Sequence, residues 1–189
     1  MLDVTYPAGP APVIRGAKLS KASEMLPIVE ESGSVTAQAP RTYCHNGSKV
    51  LHPVVHLHII NREGQIYLQK RGPHKKIFPL RWDTAVGGHV TYGETIIESL
   101  FRESGEELGL LNFNPYQYGA YVFESKIERE LIYVFAAVGN FELKPDNDEV
   151  VEGRWWSIDE IESKLGKGIF TPNFESEYQK VKTYLLSLL

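Results

Sequence analysis

One stretch of the chain, residues 95–108, constrains the fold more than any other. At 100° per residue it forms a helix with one largely apolar stripe and an adjoining stripe of three glutamates. Gly109 follows the last residue of the pattern, in the position of a C-terminal cap. The apolar stripe contains Ile97, Leu100, Phe101, Ser104 and Leu108. We therefore expect a helix that buries one side and presents a row of acids on the other.

Strand patterns surround this helix. Residues 53–61 alternate with period two, so Val55, Leu57 and Ile59 share an apolar face, while His56 and His58 lie on the other, where we expect structural roles for them. A turn at residues 62–64 returns the chain as a second strand over residues 65–71. Further strands are predicted at 25–31, 118–123, 131–138 and 154–158, and two later helices begin at caps Ser157 and Thr171. The fold class is α/β or α+β, with a mixed sheet covered by helices.

Composition limits the function classes. The 189 residues carry 20 Lys and Arg against 24 Asp and Glu, a net charge of −4, which disfavours nucleic-acid and membrane-surface binding. Cys44 is the only cysteine, so no internal disulfide can form. With no signal peptide and no apolar run of about 20 residues, we expect a cytoplasmic protein. Residues 1–20 form an irregular proline-containing arm, a candidate for exchange within a homodimer, and residues 21–189 form one domain.

The glutamate stripe requires a counter-charge. Glu103, Glu106 and Glu107 stand at i, i+3 and i+4, where like charges repel, and Arg102 alone does not neutralise them. A hard divalent cation such as Mg²⁺ or Mn²⁺ fits these oxygen ligands and commonly bridges carboxylates to phosphates. The preceding pair, Gly87 and Gly88, lets the backbone approach and offer a carbonyl. The alternative is a solvated acidic face, which the combination of fixed glycine, acid and arginine positions disfavours.

The complete pattern is Gly88-x5-Glu94-x7-Arg102-Glu103-Ser104-x-Glu106-Glu107-x-Gly109-Leu110, and it resembles the Nudix box. The resemblance implies an α/β/α sandwich that cleaves a diphosphate linked to another moiety, with Mg²⁺ or Mn²⁺ bound by the three glutamates. Ser104 departs from the family pattern, which usually has an aliphatic residue there. This change weakens the buried stripe and removes no ligand.

The resemblance extends over residues 41–172 and points to the branch that contains isopentenyl-diphosphate isomerase. It implies a second metal set, which would suit Mn²⁺ or Zn²⁺, and three cations that hold the diphosphate. The alternative for each histidine taken singly is a structural role, and the alternative for the basic loop that contains Arg71 and Lys75 is a solvated surface loop. The implied metal set is His45, His52, His89, Glu128 and Glu130, and the implied cations are Arg41, Arg71 and Lys75.

Two features favour hydrolysis over isomerisation. Isomerases of this branch carry a catalytic cysteine where this chain has Gly87, and they lack the acids present here at Glu103 and Glu106. An isomerase would need a substitute proton donor, either Tyr118 or Glu130. A third hypothesis is a module that binds a diphosphate metabolite without turnover. The general base of a hydrolase stays open among four acids, and the leaving moiety is selected by loops outside the box. The four acids are Glu103, Glu107, Glu130 and Glu149.

Overall fold

The computed structural model describes residues 23–75, 77–145 and 150–189. The predicted arm at residues 1–20 and the candidate base Glu149 lie outside these ranges. The elements follow one another as β1 (Met25–Val29), β2 (Val35–Pro40), α1 (Arg41–Cys44), β3 (Leu51–Ile60), β4 (Ile66–Arg71), β5 (Trp82–Asp83), β6 (Val86–His89), α2 (Ile96–Leu108), β7 (Tyr116–Glu124), β8 (Arg129–Val138), β9 (Val150–Trp156), α3 (Ile158–Glu162) and α4 (Pro172–Ser187).

A mixed sheet is built around β3. This strand runs parallel to β8 over its whole length and antiparallel to β4 and β6, while β7 extends the sheet beyond β8. Strands β5 and β9 both pair with β4. The hairpin of β1 and β2 forms a separate two-stranded sheet. The expected mixed sheet is therefore confirmed.

Helices cover both faces of the sheet, and β3 contributes buried apolar residues to both. Its residues Val55, Leu57 and Ile59 pack in one core with Leu100 and Leu108 of α2. The alternate residues Val54 and Ile60 pack in a second core with residues of α4, among them Phe174, Val181 and Leu185. The α/β/α sandwich implied by the resemblance is confirmed, and the two helices hold their polar side chains over opposite faces of the sheet.

Local sequence fixes the two ends of α2. Thr95 caps the first turn by accepting from the amide of Glu98, whose carboxylate in turn accepts from the amide of Thr95 at 2.8 Å. Gly109 ends the helix with φ at 65°, in the left-handed region that favours glycine. These caps set the register of the glutamates against the strand that precedes the helix.

Several boundaries differ from the sequence expectations. Strand β9 begins at Val150 rather than Arg154 and ends at Trp156, because Ser157 caps α3. Strands β2, β5 and β6 and helix α1 were not predicted. In the described ranges, no helix is both long and apolar enough to cross a membrane.

Candidate active site

Strand β6 places its two glycines toward different helices. Successive residues of a strand face opposite sides of the sheet. A Cβ atom on Gly88 would overlap the carboxylate of Glu103 from α2. A Cβ on Gly87 would instead lie 3.6 Å from the ring of His56, on the α4 side. Gly88 thus lets one acid come directly against the strand, whereas Gly87 has room for a Cβ in ordinary contact with His56.

Arg102 holds the glutamates of α2 to the loop before the helix. Its guanidinium donates to Glu94 at 2.8 Å, to Glu103 at 2.8 Å and to the carbonyl of His89 at 2.9 Å. Although burial opposes ionisation, the hydrogen bonds from Arg102 and Ser99 keep the pKa of Glu94 below its usual value. Arg102 is therefore a positioning residue that ties α2 to the end of β6.

Glu107 and Glu103 are the two most buried acids of the cluster, each 7% exposed. One oxygen of Glu107 accepts from Gln69 at 3.1 Å and from the amide of Gly87 at 3.4 Å. Burial, reinforced by the charge of Glu103, raises the pKa of Glu107 to about 7, while the charge of Lys75 acts in the opposite direction. Two adjacent buried carboxylates of this kind favour a cation between or beside them.

Glu106 lies at the rim of this cluster. Its side chain is 42% exposed and its carboxylate lies 3.8 Å from the guanidinium of Arg102. The three glutamates therefore share one side of the helix, as predicted, but they differ in burial. Ser104 is fully buried on the other side, and its hydroxyl donates to the carbonyl of Leu100 at 2.7 Å, so the departure from the family pattern leaves no unpaired polar group.

The three predicted phosphate-binding cations have different partners in the structure. Lys75 is close enough to Glu107 to influence its ionisation. Arg71, on β4, donates to Asp83 at 3.1 Å and to the carbonyl of Ile77 at 3.2 Å. Arg41 begins α1, donates to Glu24 at 2.8 Å and influences the ionisation of His52. Their joint contact with a diphosphate stays a prediction.

Three histidines from distant parts of the chain meet beside β6. His45, His52 and His89 each offer a nitrogen, and these three atoms lie within 4.8 Å of one another. The Nε2 atoms of His45 and His89 are 2.9 Å apart. Nδ1 of His52 faces the carbonyl of Val50 at 3.1 Å, which leaves its buried Nε2 without a hydrogen-bond partner. An unpaired buried nitrogen in a group of three imidazoles fits the donor set of a transition metal.

Two acids of β8 and the preceding turn complete this histidine cluster. Glu128 lies 2.5 Å from Nδ1 of His45, and Glu130 lies 3.9 Å from His52 and 3.8 Å from His89. Burial and the charge of Glu128 raise the pKa of Glu130 to about 7. The five residues that the resemblance implied as a second metal set thus meet in one place.

Sequence reasoning missed the partner of the remaining strand histidines. Glu177, from α4 and 1% exposed, accepts from His56 at 2.9 Å, from His58 at 2.6 Å and from the hydroxyl of Tyr121 at 2.6 Å. His56 and His58 therefore form a separate cluster rather than joining His52. The sequence signal that could have indicated a buried role is the position of Glu177 on the apolar stripe of α4, between Phe174 and Val181.

Comparison with known proteins decides the family. The family model of the NUDIX domain matches residues 50–174. The chain belongs to the Nudix family. An uncharacterized Nudix hydrolase of Nostoc sp. is 32% identical over 157 residues, which are 77% of this chain and 87% of that relative. An isopentenyl-diphosphate Delta-isomerase of Mycolicibacterium vanbaalenii is 27% identical over 139 residues, which are 70% of this chain and 77% of that relative.

Solved Nudix structures share the fold. The crystal structure of DR0079 from Deinococcus radiodurans has a TM-score of 0.69 at 22% identity, covering 83% of this chain and 98% of that one. The NUDIX domain of Shewanella oneidensis NrtR, solved with ADP ribose, has a TM-score of 0.59 at 13% identity and covers 70% and 87% of the two chains. Both likenesses are in the fold, the α/β/α sandwich that this chain also forms.

Proposed function

We propose that this Nudix protein is a divalent-metal-dependent pyrophosphohydrolase that cleaves a diphosphate linked to another moiety. The observation that carries the proposal is the seating of Glu103 against Gly88, with Glu107 beside it at the amide of Gly87. This arrangement places two buried carboxylates beside the backbone of β6, whose carbonyl oxygens are further possible ligands. Hard oxygen donors of this kind suit Mg²⁺ or Mn²⁺.

The chain supplies ligands, orientation and a cationic grip. Glu103 and Glu107 are the proposed inner ligands, Glu106 the ligand at the rim, and the carbonyl of Gly87 or Gly88 a further oxygen. When bound, such ions neutralise the diphosphate and lower the pKa of an attacking water. Arg102 fixes the direction of Glu103, and Lys75 adds a positive charge beside Glu107. Arg71 and Arg41 are secondary candidates for phosphate contact, because each already pairs with an acid.

Four acids are candidates for the general base. Glu107 and Glu103 touch the proposed metal position, whereas Glu130 lies with the histidine cluster on the other face of β6. Glu149, which immediately precedes β9 in the sequence and lies outside the described residues, is a further candidate. Substituting each by glutamine and comparing single-turnover cleavage rates separates these roles, since loss of a base lowers the rate while the substrate still binds.

Hydrolysis is tested with a panel of diphosphate conjugates. The panel begins with ADP-ribose, the ligand of the related Shewanella domain. Wild type with Mg²⁺ or Mn²⁺ should release a phosphate monoester, and Glu107→Gln should lose at least about a hundredfold of kcat/KM. Glu142→Gln, which changes an 85% exposed acid outside the site, is the matched control. Cleavage that survives Glu107→Gln unchanged would end the proposal.

A second candidate is isomerisation of isopentenyl diphosphate, which the assembly of His45, His52, His89, Glu128 and Glu130 favours. Gly87 disfavours it, since glycine supplies no proton at the position that faces His56. Of the two substitute proton donors, Tyr118 donates to the carbonyl of Lys180 at 3.2 Å, and Glu130 lies beside His52 and His89. Product analysis separates the two candidates, because isomerisation leaves the diphosphate intact. Tight binding of every diphosphate tested with no turnover would instead indicate the binding module.

A further inference from the structure

Gln69 is a buried amide of β4 that contacts the glutamates of α2. Residues of β4 alternate between the two sides of the sheet, so that Leu68 packs in the core under α4 and Tyr67 in the core under α2. Gln69 shares the α2 side with Tyr67. It is 7% exposed, and its Nε2 donates to Glu107 at 3.1 Å. A strongly polar side chain is therefore placed in the wall of the proposed metal site.

The carboxylate of Glu107 decides which end of this amide faces it. An ionised carboxylate only accepts hydrogen bonds, so the nitrogen of the Gln69 amide, and not its oxygen, must be the contacting atom. The amide of Gly87 donates to the same carboxylate oxygen, Oε2, at 3.4 Å, so neither donor occupies Oε1 of Glu107. The oxygen of the Gln69 amide is bonded to the same carbon as the nitrogen and is consequently held close to Glu107.

This amide oxygen lacks a partner within the described part of the protein. Oε1 of Gln69 is buried, and no described residue donates a hydrogen bond to it. A buried acceptor in this state is unfavourable unless a ligand completes it. Ionised phosphate oxygens cannot do so because they carry no proton to donate, and an apolar group offers an acceptor nothing. A divalent cation can, since the side-chain carbonyl of glutamine is one of the oxygen ligands that hard cations take.

The charges of the cluster favour a neutral ligand at this position. Two of its acids are only 7% exposed, and a further carboxylate on β4 would add repulsion between buried like charges. An amide oxygen adds a ligand without adding a negative charge. The acids are Glu103, Glu106 and Glu107, and the cations beside them are Arg102 and Lys75.

We propose that Oε1 of Gln69 is a neutral ligand of the divalent cation at the α2 cluster, while Nε2 of the same amide holds Glu107 in place. This inference rests on the proposed function and adds a ligand from β4 to a site otherwise built from α2 and β6. The cation then connects three elements of the fold. Substituting Gln69 therefore changes which metal the site prefers as well as how tightly it binds.

The test measures metal binding rather than cleavage. Mn²⁺ and Cd²⁺ are titrated by calorimetry into the full chain carrying His52→Gln, which removes a nitrogen of the histidine cluster. Gln69→Leu should weaken Mn²⁺ binding at least about tenfold, because a ligand is lost. Gln69→Met should weaken it equally but bind Cd²⁺ about tenfold more tightly than Gln69→Leu, since a thioether suits a softer ion. Gln65→Leu, at a glutamine that accepts from Asn61 instead, should change neither affinity.

Each outcome decides the inference. Equal Cd²⁺ affinities of Gln69→Met and Gln69→Leu overturn it, because both variants lose the hydrogen bond to Glu107 and only contact with the ion separates them. Unchanged Mn²⁺ affinity in Gln69→Leu also overturns it and would mean that water completes Oε1. If neither variant folds, the side-chain amide NMR signal of Gln69 decides. It should shift as Mg²⁺ saturates the protein, and an unmoved signal overturns the inference.

Failure of the hydrolase proposal is distinguishable from failure of this ligand assignment. The first would appear as no cleavage in the substrate panel while the metal preferences of the Gln69 variants persist. The second would appear as unaltered metal preferences in an enzyme that still cleaves its substrate and still depends on Glu107.

Discussion

The carboxylate of Glu103 occupies the space that a side chain on Gly88 would need. Because this contact is so close, any side chain at residue 88 would displace the carboxylate of Glu103, and the observed position of Glu103 requires glycine there. The neighbouring Gly87 has no such constraint, since a Cβ there meets His56 at 3.6 Å. Two adjacent glycines therefore have different physical reasons to be small.

This difference gives the first prediction. Gly88→Ala should displace Glu103 and weaken Mn²⁺ binding at the α2 cluster by at least about tenfold, because a ligand leaves its position. Gly87→Ala is the control for adding a methyl group to the same strand, and it should keep both the fold and the Mn²⁺ affinity. Calorimetric titration with Mn²⁺, together with thermal unfolding, measures both effects. Equal Mn²⁺ affinities in the two variants would contradict the pairing of Gly88 with Glu103.

The second prediction concerns the two clusters on opposite faces of β6. If both bind metal, calorimetric titration with Mn²⁺ should resolve two saturable binding steps, and each site should add about 2.7 kcal/mol of stability at a hundred times its dissociation constant. His52→Gln should abolish the step that belongs to the histidine cluster, and Glu107→Gln the step that belongs to α2. Zn²⁺ should favour the histidine site, since imidazole suits it better than carboxylates alone do.

A single step that either variant removes would show instead that the clusters are not independent. Chelation by EDTA should return each metal-loaded protein to its original melting temperature. The comparison of His52→Gln with His58→Gln controls for the general effect of losing a buried histidine, since His58 lies with Glu177 rather than with the other three imidazoles.

Local periodicity was enough to predict α2, its C-terminal cap Gly109 and the central strands. In each case the signal lies within about a dozen residues, and a buried stripe with defined ends has few alternatives. Strand β2 escaped prediction because five of its six residues are exposed and its one apolar face has only small residues after Val35. The start of β9 was missed for a related reason, since Val151 and Glu152 are exposed and Gly153 contributes no apolar side chain.

The contacts of the site also differ in whether local sequence spacing predicts them. The acids of α2 could be grouped from sequence because a helix relates i, i+3 and i+4 directly. The ion pair of His56 with Glu177 joins residues 121 positions apart, and only the packing of α4 on the sheet brings them together. The histidine cluster was accessible through family resemblance alone, since nothing in the spacing of His45, His52 and His89 places them on neighbouring elements.

The third prediction concerns the start of α2 and its pH dependence. Hydrogen bonds from the amide and hydroxyl of Thr95 lower the pKa of Glu98 below its usual 4.5. The charged form therefore stabilises the folded state above pH 4.5, and this contribution disappears as the pH falls through the lower folded pKa. Glu98→Gln should be less stable than wild type at pH 6 and should approach it in acid.

Urea unfolding at a series of pH values measures the difference in free energy of unfolding. Glu142→Gln, in a segment outside any helix, should show no comparable pH-dependent difference from wild type. A constant gap between Glu98→Gln and wild type from neutral pH to strong acid would mean that the carboxylate charge does not contribute to the cap.

The last prediction separates substrate grip from chemistry at Lys75. Its positive charge acts on Glu107, so it stands where a diphosphate held by the α2 cluster carries its charge. Lys75→Met should raise KM for a diphosphate substrate by about tenfold to a hundredfold, the value of one charge-assisted contact, and should change kcat much less. Lys144→Met, which removes a 77% exposed lysine paired with Glu142, is the matched control. The KM of wild type should also rise with ionic strength more steeply than that of Lys75→Met, because one screened attraction is already absent from the variant. A fall in kcat with KM unchanged would place Lys75 in the chemical step rather than in binding.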